Sequence, residues 1–97
     1  MTSQRASQAA CARITRRASS NFTLATYLFD RETRQAIQAL YAFCRVADDI
    51  ADSTTLTSSM KRRQLMMMRR ALHIRKSPPV ETDIWPAVFN LIKVYRI

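Results

Sequence analysis

The chain has no glycine, and 47% of its residues are hydrophobic. That combination argues against a β-rich fold and for helices. Cysteine is scarce as well. Cys11 and Cys44 form no metal or redox spacing, so a reducing cytoplasm is the expected compartment. The single histidine, His73, stands alone among basic residues, which makes it a weak candidate for catalysis. No stretch approaches the ~20 apolar residues needed to cross a bilayer. Acidic residues number seven against sixteen basic ones, and segments 1–29 and 53–80 contain none. Internal repeats and low-complexity tracts are also missing.

What remains reads as a series of helices. The first is expected over about 3–18, rich in Ala and Arg. A short piece over 21–29, irregular or helical, leads to Asp30, a good N-cap for a long helix over 31–52. The run from Ser53 to Ser59 breaks that helix, because Ser and Thr side chains compete for backbone hydrogen bonds. A third helix is expected over about 59–76, and Ser77, Pro78 and Pro79 stop it. Thr82 or Asp83 then caps a last helix that tolerates Pro86 in its first turn. Its apolar residues Ile84, Val88, Leu91, Ile92 and Tyr95 recur at helical spacing.

The net charge of +9 is unevenly placed. Segment 53–80 holds Lys61, Arg62, Arg63, Arg69, Arg70, Arg75 and Lys76 alongside Leu65, Met66, Met67, Met68 and Leu72. The favoured reading is a solvated outer helix of a larger bundle, with the methionines filling core. A basic amphipathic helix over 59–76 in peripheral contact with an anionic membrane is the second reading. The high isoelectric point also fits nucleic-acid binding. No helix-turn-helix spacing, aromatic RNA-binding motif or zinc-ligand set accompanies it, so no nucleic-acid partner is expected.

The most informative stretch is the end of the long helix. At 100° per residue, Tyr41, Arg45, Asp48 and Asp52 fall within a stripe about 60° wide. Asp48 and Asp52 are like charges at i,i+4, which weakens a helix by roughly 0.2–0.5 kcal/mol. Asp49 adds further negative charge where the macrodipole already disfavours anions. Mg²⁺ held by one or two carboxylates plus substrate phosphates would offset that cost. Acidic clusters on helices are usually only solvated faces. Here, however, Leu40, Phe43, Val46 and Ile50 occupy much of the remaining circumference, as on a buried helix. The stripe is therefore expected to face an internal polar cavity.

Two segments resemble one known family, the squalene/phytoene synthases. They are Ser19, Ser20, Asn21 and Phe22, and the nearly uninterrupted run from Arg34 through Tyr41, Cys44, Arg45, Asp48 and Asp49 to Asp52. The resemblance is good over about 11–52 and weak over 85–97. It leaves little room for a removable leader, although the Arg- and Ser-rich, acid-free N-terminus has the composition of a transit peptide.

The resemblance implies an all-α isoprenoid-synthase bundle, of which residues 1–97 would be about the N-terminal third. It implies head-to-head joining of two prenyl diphosphates, farnesyl or geranylgeranyl, in isoprenoid, carotenoid or hopanoid biosynthesis. Asp48 and Asp52 would hold Mg²⁺ on the diphosphate. Tyr41 and Arg45 would contact the diphosphate or the counter-ion of the developing carbocation. Ser19, Ser20, Asn21 and Phe22 would meet one substrate's diphosphate and the start of its tail. NADPH would enter only if a reductive, squalene-type step follows. Cys44, inside the matching run, would be a small packing residue, and the location would be cytoplasmic, with or without peripheral membrane contact.

The departures are specific. Asn21 stands where the family usually has a second Ser, and Asp30 where it usually has Pro. Small residues that the family uses in later helices have no glycine counterpart here. Beyond Asp52 the remaining carboxylates are Glu81 and Asp83, which do not form a second Asp-x-x-x-Asp pair. Half of a two-sided metal clamp is missing, so the chain is expected to be an inactive piece of a larger synthase. The alternatives are a non-catalytic helical assembly module that kept the family sequence, and a small basic surface binder.

Overall fold

The computed structural model describes residues 3–18, 25–76 and 83–95. These residues form four helices: α1 (Gln4–Ala18), α2 (Arg31–Ala51), α3 (Ser58–Ile74) and α4 (Trp85–Tyr95). The fold is all-α, as a partial isoprenoid-synthase bundle requires. Among the described residues no helix is long and apolar enough to cross a membrane.

Each helix start has a local cause. The Ser3 hydroxyl accepts from the Ala6 N–H at 3.1 Å, and Arg16 and Arg17 complement the dipole at the other end of α1. Asp30 caps α2, its carboxylate accepting from the Thr33 N–H at 2.7 Å. That bond holds the Asp30 carboxyl below the usual carboxylate range, with help from Arg34. Between α2 and α3, the Ser53 hydroxyl accepts from the N–H groups of Thr55 and Leu56, both at 3.2 Å. Helix α3 begins at Ser58, earlier than expected. Its cap is Thr57, whose hydroxyl accepts from the Met60 N–H at 3.2 Å.

The missing glycine leaves its mark at the other end of α3. Arg75 closes the helix in the left-handed region, at φ 58° and ψ 35°, where its N–H donates to the Ala71 carbonyl at 2.9 Å. A side chain there costs about 1–2 kcal/mol relative to glycine. At the start of α4, Asp83 is exposed in the preceding bend, and Pro86 sits in the first turn, where a missing N–H is harmless. The stop at 77–79 and the cap at Thr82 lie outside the described residues.

Helix α2 is the central element, packing against α1, α3 and α4. Alanines line these contacts: Ala39 and Ala42 of α2, Ala71 of α3 and Ala87 of α4 are all buried. Small side chains at a crossing let helix axes approach closely. The large core residue is Trp85, 1% exposed, with the Phe43 ring edge-on at 5.9 Å and the Phe89 ring at 5.8 Å. Ile84, Val88 and Ile92 join it, as their spacing predicted, whereas Tyr95 is exposed. Helices α1 and α4 are joined by a long-range polar bond. The buried Ser7 hydroxyl accepts from the Ala87 N–H at 3.0 Å. Buried Thr15 spends its hydroxyl on the Cys11 carbonyl at 2.9 Å.

Three expectations are corrected. Cys44 is exposed rather than packed, because it lies on the side of α2 turned away from the core. The methionines of α3 divide: Met68 is buried, Met67 half-buried and Met66 62% exposed, as a 100° step between successive residues demands. Helix α2 is covered on one side and not all round, since Leu40 is 52% exposed.

Candidate functional site

Helix α2 ends in its acidic turn. The Asp52 N–H donates to the Asp48 carbonyl at 2.8 Å, so the two aspartates stand one helical turn apart on the same stripe. Both side chains are exposed, as is Arg45, while Tyr41 is half-buried. The stripe thus opens to solvent instead of facing an enclosed polar cavity. The core-facing side of α2 is set by Ala39, Ala42 and Ile50, which point away from it.

The basic member of the stripe is committed sideways. Arg45 Nε lies 3.3 Å from Asp49 Oδ1, an i,i+4 pair with side chains 50% and 65% exposed. Such a pair contributes about 0–1 kcal/mol, so a more highly charged anion can take Arg45 from it. The sequence reading missed Asp49 as that partner, although the i,i+4 spacing was there to see. Among the described residues, Asp48 and Asp52 have no ion-pair partner. Also among the described residues, no group of three or more His, Cys, Asp or Glu side chains could hold a metal ion. Two carboxylates one turn apart fit one side of a Mg²⁺ site, in which water and phosphate oxygens supply the other ligands. Ser19, Ser20, Asn21 and Phe22 lie outside the described residues.

A second surface suited to anions lies at the other end of α2. A cleft of about 490 Å³ runs between α1, the turn at 25–29 and α2, lined among others by Arg5, Gln8, Tyr27, Arg31, Arg34 and Gln38. The Arg34 guanidinium lies over the Tyr27 ring, 4.9 Å from its centre, which fixes the turn against α2. Nothing in the residue spacing had singled out these side chains, because the turn brings them together. The apolar side chains around this part of the molecule are left bare. Tyr27, Leu28, Phe29 and Leu40 are all at least half exposed.

The two cysteines differ sharply. Burial pushes the Cys11 thiol up to about 12, so it stays protonated and unreactive at neutral pH. Cys44 is exposed on the same open side of α2 as the stripe.

Known sequences resemble this chain over part of its length. A bifunctional lycopene cyclase/phytoene synthase of Phycomyces blakesleeanus is 40% identical over 57 residues, covering 59% of this chain and 10% of the relative. The protein of the same description from Blakeslea trispora is 39% identical over 57 residues, 59% of this chain and 9% of its own length. A 15-cis-phytoene synthase of Pantoea ananas is 47% identical over 38 residues, 39% of this chain and 12% of the relative. The matched stretches therefore span about a tenth of these relatives. No solved structure matches. The squalene/phytoene synthase family pattern runs over residues 15–97, through α2, α3 and α4, and the chain belongs to the squalene/phytoene synthase family.

Proposed function

We propose that this chain supplies the diphosphate-binding front of a phytoene synthase-type prenyltransferase, acting in carotenoid biosynthesis on geranylgeranyl diphosphate or a shorter prenyl diphosphate. The observation that supports this most directly is the exposed pair Asp48 and Asp52. They sit one turn apart at a helix C-terminus, where their charges cost stability and have no ion-pair partner among the described residues.

In this reading Asp48 and Asp52 hold Mg²⁺, which when bound supplies positive charge against the departing diphosphate. Arg45 leaves its weak pairing with Asp49 and donates to a diphosphate oxygen. The Tyr41 side chain, half-buried one turn before, contacts the diphosphate or the counter-ion of the developing carbocation. Ser19, Ser20 and Asn21 donate to the same diphosphate, and Phe22 meets the first carbons of the tail. Bare Leu28, Phe29 and Leu40 offer apolar surface of the kind that must exclude water from a carbocation. Two carboxylates would hold only one side of the metal, and diphosphate oxygens and water would complete the other.

The test is turnover in the complete synthase polypeptide. Asp48→Asn and Asp52→Asn should each lower Mg²⁺-dependent product formation by at least about 10²-fold, the effect of losing one strong electrostatic group. Helicity and melting should remain as in the parent. Unchanged turnover in both variants would refute the assignment. The bare apolar surface around 27–29 and Leu40 also favours a second reading, a non-catalytic module that assembles with other helices. Such a module would lose nothing in either variant.

A further inference from the structure

The strongest surface feature outside the acidic turn is the outer face of α3. Packing of Met68 and Ala71 into the core fixes which side of the helix points outward. On that side Arg62 and Arg69 form one row, and Arg63 and Arg70 form a second about 100° away. All four are exposed. Met66, 62% exposed, stands between the rows. Beyond the second row lie Met60 and Ile74, each about half exposed, with half-buried Met67 between them. No acidic residue occurs anywhere in 53–76.

This pattern decides what can cover the face. Further helices of a larger bundle would have to bury four guanidiniums that have no carboxylate within their own segment, which is costly. Bare solvent explains the arginines but not Met66 set between their rows, with Met60 and Ile74 exposed beyond the second row. A nucleic acid would satisfy the charge, yet it offers Met66, Met60 and Ile74 no apolar partner, and His73 is the single ring that α3 carries for stacking. Anionic lipid headgroups satisfy both parts. Guanidiniums pair with phosphate oxygens while their stems, Met66, Met60 and Ile74 reach the acyl boundary.

We propose that the outer face of α3 is a peripheral docking surface for an anionic lipid bilayer, with Arg62, Arg63, Arg69 and Arg70 as its charge and Met66 as its central apolar contact. The apolar stripe of the helix stays in the core. Docking is therefore shallow, mainly electrostatic, and reversed by salt. It does not depend on the diphosphate assignment, since none of these residues belongs to the acidic stripe.

The test is co-sedimentation of the full chain with phosphatidylcholine vesicles, with and without phosphatidylserine. Binding is expected only with phosphatidylserine, and it should fall steeply as salt rises. Replacing all four arginines by Gln should lower partitioning by about a hundredfold or more, given the contribution of each basic residue near such a surface. Met66→Gln should lower it several-fold while leaving binding to a DNA duplex unchanged. A charge-matched control, Arg5, Arg13, Arg16 and Arg17 of α1 replaced by Gln, should bind nearly as the parent does. Circular dichroism confirms that each variant is folded. Any of three results would overturn the proposal: no preference for phosphatidylserine, equal loss in the α1 control, or binding to DNA but not to vesicles.

Discussion

The two sides of α2 obey different rules. One carries Ala39, Ala42 and Ile50 into a core with Trp85, Met68, Ile84 and Val88, all buried. The other carries Leu40, Cys44, Arg45, Asp48 and Asp52, a mixture of apolar and charged groups left open. Stability accounts for the first side, apart from the Trp85 Nε1–H, which is buried without a hydrogen-bond partner among the described residues. It does not account for the second, where like charges adjoin a negative helix end and Leu40 stays in water. In the function proposed above, such a face is one kept for binding.

The contrast is most easily broken on the packed side. Trp85→Ala removes the ring held between Phe43 and Phe89 and should cost about 3–5 kcal/mol. In a chain of this size that is a large part of the total. Urea unfolding followed by circular dichroism should show the helices lost or nearly so. Ser7→Ala acts on the same side by another route. It leaves the buried Ala87 N–H without its acceptor, at about 1–3 kcal/mol, and should lower the urea midpoint without changing the slope.

Effects on the open side and at the helix ends should be smaller. Arg75→Gly relieves the left-handed residue closing α3. Because glycine's greater freedom in the unfolded chain offsets part of that relief, stability should rise by up to about 1 kcal/mol. Asp48→Asn should leave stability unchanged or raise it by about 0.2–0.5 kcal/mol, because a like-charge pair is removed. A loss of stability there would contradict the view that this face serves binding.

Acid should separate the cap from the core. The folded-state pKa of Asp30 is lowered, so its contribution is present above the unfolded carboxylate value. It is lost as the pH falls through the lower folded value. Helicity of α2 should therefore decline in acid. Asp30→Asn, which keeps an acceptor for the Thr33 N–H, should remove that part of the pH dependence. At neutral pH a thiol reagent should modify exposed Cys44 in the folded chain and spare Cys11, whose thiol burial pushes to about 12.

Much of this was legible in the residues themselves. Asp30 as a cap, the Ser- and Thr-rich break after Asp52, and the core spacing of Ile84, Val88 and Ile92 are local signals that tertiary packing did not override. The acidic turn was legible for the same reason, since helical periodicity alone aligns Asp48 with Asp52. What escaped notice depends on elements distant in the chain. The bond from the Ala87 N–H to Ser7 joins α4 to α1, and no local pattern marks Ser7 as buried. The same holds for the Arg34 and Tyr27 stacking, which the turn at 25–29 creates. Cys44 was misplaced because a match to a family run says which residues recur, not which side of the helix the neighbours cover.

The central claim is that Asp48 and Asp52 bind a metal-bridged diphosphate. It is tested most directly by titrating geranylgeranyl diphosphate into the chain calorimetrically, with Mg²⁺ and with EDTA. Binding should require Mg²⁺ in the parent, and the difference between the two conditions should vanish in the Asp48→Asn, Asp52→Asn double variant. Binding of equal strength with EDTA, or a Mg²⁺ dependence that survives the double substitution, would contradict it.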